Sequence, residues 1–148
     1  MPITETLKTK GSLNIVVTGP NGDIKEDVHV DNLVVTVGKE YIASRMKEIG
    51  RQDEMSHMAV GSDNTAPAAG DTTLGAEESR STLSTAGGTV TGSDVVYEAT
   101  FTSGTLTLTE AGIFNDSTAG TLLCRTTFNA INKGEDDSVA ITWTFSVL

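Results

Sequence analysis

Carboxylates and amides crowd the middle of this chain, where MAVGSDNTAPAAGDTTLGAE (58–77) carries Asp63, Asn64 and Asp71 on a stretch rich in Gly and Ala. Oxygen donors on a flexible loop are the material of a calcium site, and Glu135, Asp136 and Asp137 offer a second such run. Neither stretch has the alternating Asp-x-Asp-x-Asp-Gly order, closed by a Glu, that wraps oxygens around one ion. Solvated acidic turns are the simpler reading, and no metal is expected. A phosphate cradle fails for a different reason. It needs a lysine to reach the terminal phosphates, whereas Gly61 and Gly70 have Asp63, Asp71, Glu77 and Glu78 around them and no lysine nearby.

Covalent chemistry fares no better. Cys124 alternates with Leu122 and Phe128 in a strand-like run, the setting of a small buried hydrophobe rather than a reactive thiolate. His29 falls at the end of a predicted strand and His57 precedes Met-Ala-Val-Gly; neither belongs to a recognisable catalytic pattern. Glu98 and Glu110 read as outward strand positions rather than the facing carboxylate pair of glycoside hydrolysis. The Glu110-Ala-Gly112 sequence itself reads as a β-bulge or tight bend, with Gly112 supplying the backbone shape. The residues therefore predict a non-enzyme with no cofactor.

Composition bounds the rest. A chain of 148 residues reads as one domain, 1–148, large enough to bury about 70% of its unfolded surface. One cysteine leaves no intrachain disulfide, which fits a reducing compartment during folding. The N-terminus has no secretory pattern, and no apolar run approaches the roughly 20 residues of a membrane span, so synthesis in the cytoplasm and no membrane partner are expected. The net charge of −10 is uneven: residues 51–148 hold four Lys/Arg against thirteen Asp/Glu. Such a body repels phosphate backbones, and direct nucleic-acid binding is not expected.

The elements that must position these residues are mostly strands. SVAITWTFSVL alternates Val139, Ile141, Trp143, Phe145 and Val147 against small polar residues, and VVYEATFTS does the same with Val95, Tyr97, Ala99 and Phe101. Leu106 and Leu108 share a face in the next run, and Leu122, Cys124, Thr126 and Phe128 in the one after. Asn21-Gly22 between the alternating runs 13–17 and 24–30 marks a hairpin. Ile42, Met46 and Ile49 predict one helix of about a dozen residues, stopped by Gly50. The expected fold is all-β: an antiparallel β-sandwich, jelly-roll-like, with one short helix, an N-terminal tail (1–11) and a long extended loop or arm (61–94). Apart from a short strand at Met58–Val60, the stretch 51–94 holds too little bulk for a core of its own.

Three segments, NLVVTVGKEYIASRM, MAVGSDNTAPAAGDTTLGAEESR and TLTEAGIFNDSTAGTLLCRTTFNAINKGEDDSVAITWTFSV, occur in this order. With Gly61 to Glu77, Glu110 to Phe114 and Lys133 to Trp143 as its signatures, the chain resembles small structural proteins of tailed bacteriophages. That group includes head decoration (cement) proteins and tail-fibre-related proteins. The resemblance implies a virion component: a decoration protein on the outer capsid surface, a homo-oligomer (dimer or trimer) that contacts the major capsid protein. The alternative it implies is a tail, baseplate or tail-fibre adaptor for host attachment. A third reading is a metal- or sugar-binding module with no virion. For a decoration protein, the expected partner-binding positions are Asp63, Thr65, Pro67, Asp71, Leu74 and Glu77 of the arm, with Pro2, Lys8 and Lys10 of the tail. A thin arm with small side chains lets backbones approach a neighbour's strand edge, and Pro67 stiffens it.

Overall fold

The computed structural model describes residues 2–148. Ten strands and one helix follow in the order β1 (Thr9–Thr18), β2 (Ile24–Asp31), β3 (Leu33–Val34), α1 (Thr36–Ser44), β4 (His57–Gly61), β5 (Glu77–Thr82), β6 (Thr89–Thr91), β7 (Asp94–Phe101), β8 (Leu106–Phe114), β9 (Leu122–Lys133) and β10 (Ser138–Val147). They form two five-stranded sheets, β2-β1-β10-β7-β6 and β3-β9-β8-β4-β5, with every pairing antiparallel. The protein is an all-β sandwich.

The alternating runs bury the faces that their periodicity predicts. Leu13, Ile15 and Val17 of β1 stand opposite Trp143, Ile141 and Val139 of β10, and Tyr97, Ala99 and Phe101 of β7 continue the row. Against them lie Met58 and Val60 of β4, Leu108, Ala111 and Ile113 of β8, and Ile131 of β9. The β1–β2 hairpin closes at Gly22, whose φ of +83° is a conformation open to glycine and strained for other residues.

Both open sides of the sandwich are stitched. Between β2 and β3 the chain crosses from one sheet to the other at Asn32, whose N–H donates to the Gly11 carbonyl (3.0 Å) and whose Oδ1 accepts the Trp143 indole N–H (2.7 Å). At the other side the Ser84 N–H donates to the Glu98 carbonyl (2.8 Å) and the Ser81 hydroxyl to the Thr100 carbonyl (2.9 Å), tying the β5 edge to β7.

Three local expectations differ. Helix α1 has nine residues and buries Gly38 and Tyr41, while Met46 and Ile49 lie beyond it in the solvent. Its end is set by polar bonds: the Ser44 hydroxyl donates to the Tyr41 carbonyl (2.7 Å) and Arg45 Nη1 to the Gln52 carbonyl (2.8 Å). The segment 61–94 contains two strands, β5 and β6, because β5 gains its backbone partners from β4 and β6 from β7 despite having no buried apolar face. The tail is shorter than 1–11, since β1 begins at Thr9 and Lys8 already exchanges backbone bonds with Leu148.

Candidate functional site

The loop 62–76 lies across the outer face of the second sheet, and the residues beneath it explain its path. Inward positions on β8 are even-numbered up to Leu108 and odd-numbered from Ala111, because the β8–β9 register shifts between Leu108 and Glu110. That bulge puts Glu110, Gly112 and Phe114 on the outer face. Arg125, paired with Gly112 across the ladder, joins them.

Outward here does not mean exposed. The Glu110 side chain is 0% exposed and that of Arg125 is 3%. Glu110 Oε1 accepts the Gly75 N–H (2.8 Å) together with Arg125 Nε (3.1 Å) and Nη2 (3.0 Å). Its Oε2 accepts the N–H groups of Asp63 (3.0 Å) and Ala76 (2.7 Å). A buried carboxylate with this many donors is the condition under which an interior charge is tolerated. Arg125 Nη1 then reaches the Thr65 carbonyl and Asp71 Oδ2, both at 3.1 Å. Both ends of the loop and its middle are therefore fastened to one ion pair on the chain's own sheet.

Smaller bonds shape the loop between those anchors. Asp63 Oδ1 accepts the Thr65 N–H (2.8 Å), which holds that carboxyl below its usual range, and Asp71 Oδ2 accepts the Ala68 N–H (2.9 Å). The Thr36 N–H donates to the Ala69 carbonyl (2.8 Å). Leu74 is buried with Val35, Ala59, Phe114 and Leu122 in a small second core under the loop. Glycine makes room for it: a Cβ on Gly112 would press on Leu74 and Leu122 methyls at 2.9 and 2.8 Å. Close approach, not an unusual backbone shape, is the reason for glycine there.

Four of the expected partner-binding residues, Asp63, Thr65, Asp71 and Leu74, are thus gathered in one loop: Leu74 is buried in the second core, Asp71 is part-buried against Arg125, and Asp63 and Thr65 reach Glu110 and Arg125 through backbone groups, with Thr65 itself exposed. Pro67 is half-buried in the same loop. Glu77 begins β5 and pairs with Arg80 (2.6 Å), whose guanidinium also stacks on the Phe114 ring at 3.9 Å. The reading of this loop as a limb that takes its shape from a neighbour is corrected: its shape comes from intrachain bonds. Pro2, Lys8 and Lys10 are exposed on the other sheet's side, around the start of β1, and do not join the loop. The strand pattern places Glu110 at an outward position, as observed, and assigns no role to Arg125. The signal available was an acid and a base at outward positions of neighbouring strands, with Gly61, Gly75 and Gly112 clearing space.

The other clusters also serve the fold. Asp137 takes Lys25 Nζ (2.8 Å) and the Gly134 N–H (2.7 Å), and the Lys25 ammonium holds its carboxyl below the usual range. Lys133 is buried, its ammonium donating to the Gly104 and Gly134 carbonyls. Cys124 is buried, and burial pushes its thiol well up. The His57 ring lies between the hydroxyls of Ser56 (2.8 Å) and Thr82 (3.4 Å), and neither ring nitrogen has a carboxylate partner among the described residues. Among the described residues no three His, Cys, Asp or Glu side chains gather as a metal site, and no helix is long and apolar enough to cross a membrane. No protein family, curated protein or solved structure matches the chain.

Proposed function

We propose that the chain is a structural component of a tailed-bacteriophage virion: a decoration protein that binds the outer capsid surface as a small homo-oligomer and braces adjacent major capsid proteins. The observation that carries this reading is the convergence of two stretches of the phage-like pattern on one rigid unit. Gly61 to Glu77 and Glu110 to Phe114 form the pinned loop, its anchor and its small core. Asp63, Asp71 and Glu110, which invited metal, phosphate and glycosidase readings, are occupied in holding that unit. A preformed loop presenting Asn64, Ala66, Ala68, Ala69 and Gly70 to solvent loses little entropy on docking, which favours binding by shape.

The surface charge supports an exterior position, since a body of net charge −10 is repelled by packaged DNA. Many copies with individually weak contacts would brace a shell through multivalency. The test is to compare particles with and without the protein under heat and chelator. Decoration predicts earlier rupture of the particles that lack it; equal survival would exclude the role. The tail or baseplate adaptor is separated by copy number, because it requires three, six or twelve copies per particle rather than hundreds. A sugar-binding module is disfavoured by the aromatics: Tyr41, Tyr97, Phe101, Phe114, Trp143 and Phe145 are buried and Phe128 is half-buried, so no fully exposed ring among the described residues offers a sugar a stacking platform.

A further inference from the structure

Several of the large apolar side chains exposed to water lie near one end of the first sheet, whereas Ile24, also exposed, lies at the other end of β1. Ile3 and Leu7 of the tail are 93% and 74% exposed and Val90 of β6 is 69% exposed, with Met46 and Leu148 exposed as well. The register brings several of them together. Val90 pairs with Val95, Val95 with Phe145 and Phe145 with Gly11, while Val147 stands opposite Thr9 and Lys8 bonds to Leu148. Between this corner of the first sheet and helix α1 runs an apolar groove of about 240 Å³, lined by Tyr41, Ile42, Val90, Val95, Phe145 and Val147. Its rim includes Arg45, the residue before exposed Met46.

The tail begins beside this groove but does not fill it. Residues 2–8 leave β1 past the end of β10, and Leu7 continues the odd-numbered series of Leu13, Ile15 and Val17 that faces inward. Ile3, Thr4 and Thr6 are β-branched, and residues 3–8 include no Gly, Pro, Asn or Asp with which to turn. The segment therefore stays extended, with Ile3 and Leu7 on one side about 13 Å apart. To enter its own groove it would have to reverse direction. A second copy has no such obstacle. Charge favours that partner: residues 2–10 carry Lys8 and Lys10 against Glu5, whereas the remainder carries eight Lys/Arg against nineteen Asp/Glu.

We infer that the N-terminal tail of one copy docks Ile3 and Leu7 into the apolar groove of a second copy, and that reciprocal exchange gives a closed two-fold pair. This gives the oligomer proposed above its surface. Because it is read on purified protein, its failure leaves the particle-rupture test standing.

Sedimentation velocity on the full chain tests it, with two variants, Ile3→Asp/Leu7→Asp in the tail and Val90→Glu in the groove. All three positions are exposed, so the far-UV circular dichroism of the folded variants should match that of the unsubstituted chain. The expected result is a dimer for the unsubstituted chain and at least a tenfold weaker association for each variant. Mixing the two variants should recover association in part, because the mixed pair holds one intact tail against one intact groove. A monomeric unsubstituted chain, a variant that assembles normally, or a mixture that associates no better than either variant alone would each overturn the inference.

Discussion

Loop 62–76 and tail 2–8 share a sparse, extended look in the sequence, yet their surroundings are opposite. The loop's backbone N–H groups at Asp63, Gly75 and Ala76 end on Glu110, and its one large apolar residue, Leu74, is buried. The tail leaves Ile3 and Leu7 in water and, among the described residues, bonds to its own body only at Lys8. A segment whose polar and apolar groups are satisfied internally can bind as a preformed surface. One whose apolar groups are not satisfied is free to be completed by another chain, as proposed for the tail. The comparison therefore assigns shape to the loop and association to the tail.

The contrast breaks most severely at the anchor. Glu110→Gln removes the fully buried partner of Arg125 and leaves only the part-exposed Asp71 as its counter-charge, and removing one partner of a buried pair costs about 3–5 kcal/mol. For a domain of this size that lowers the melting temperature by about 10 °C, read by calorimetry, with new proteolytic cleavage expected between residues 62 and 76. Leu74→Ala should follow at about 2–3 kcal/mol through loss of burial in the second core, measured by denaturant unfolding. Its cleavage pattern should match that of the anchor variant.

A smaller effect lies at the far end of the sandwich, where Lys25 holds the Asp137 carboxyl below its ordinary value. A lowered folded-state value means that the contribution is present above the unfolded value, about pH 4, and is lost as pH falls through the folded one. Lys25→Ala should flatten the loss of stability below about pH 4 while leaving loop protection unchanged, as followed by acid titration of the melting temperature. Smallest of all, Ile3→Asp/Leu7→Asp should change monomer stability by less than about 0.5 kcal/mol even as it weakens association at least tenfold. That is the reverse of what the anchor variant does.

Much of this architecture could be read residue by residue. Strands β1, β7 and β10 bury one face against the other, so their alternation survives folding intact, and Asn21-Gly22 announces its own turn. Strand β5, Glu-Glu-Ser-Arg-Ser-Thr, has no buried apolar face and exists through backbone pairing with β4, which leaves no mark in side-chain pattern. Met46 and Ile49 kept helical spacing beyond a helix that polar bonds of Ser44 and Arg45 had already ended. At the candidate site the individual residues Asp63, Asp71 and Leu74 were recognisable but their direction was not. Burial of Glu110 and Arg125 depends on a β-bulge and on a loop that covers the outer face, both of them long-range facts.

Amide hydrogen exchange at Asp63, Gly75 and Ala76 in the isolated, unassembled chain tests the internal anchoring most directly. The account predicts protection close to that of the core strands, falling by orders of magnitude in Glu110→Gln. Exchange at those three amides as fast as in residues 2–7 of the tail would contradict it.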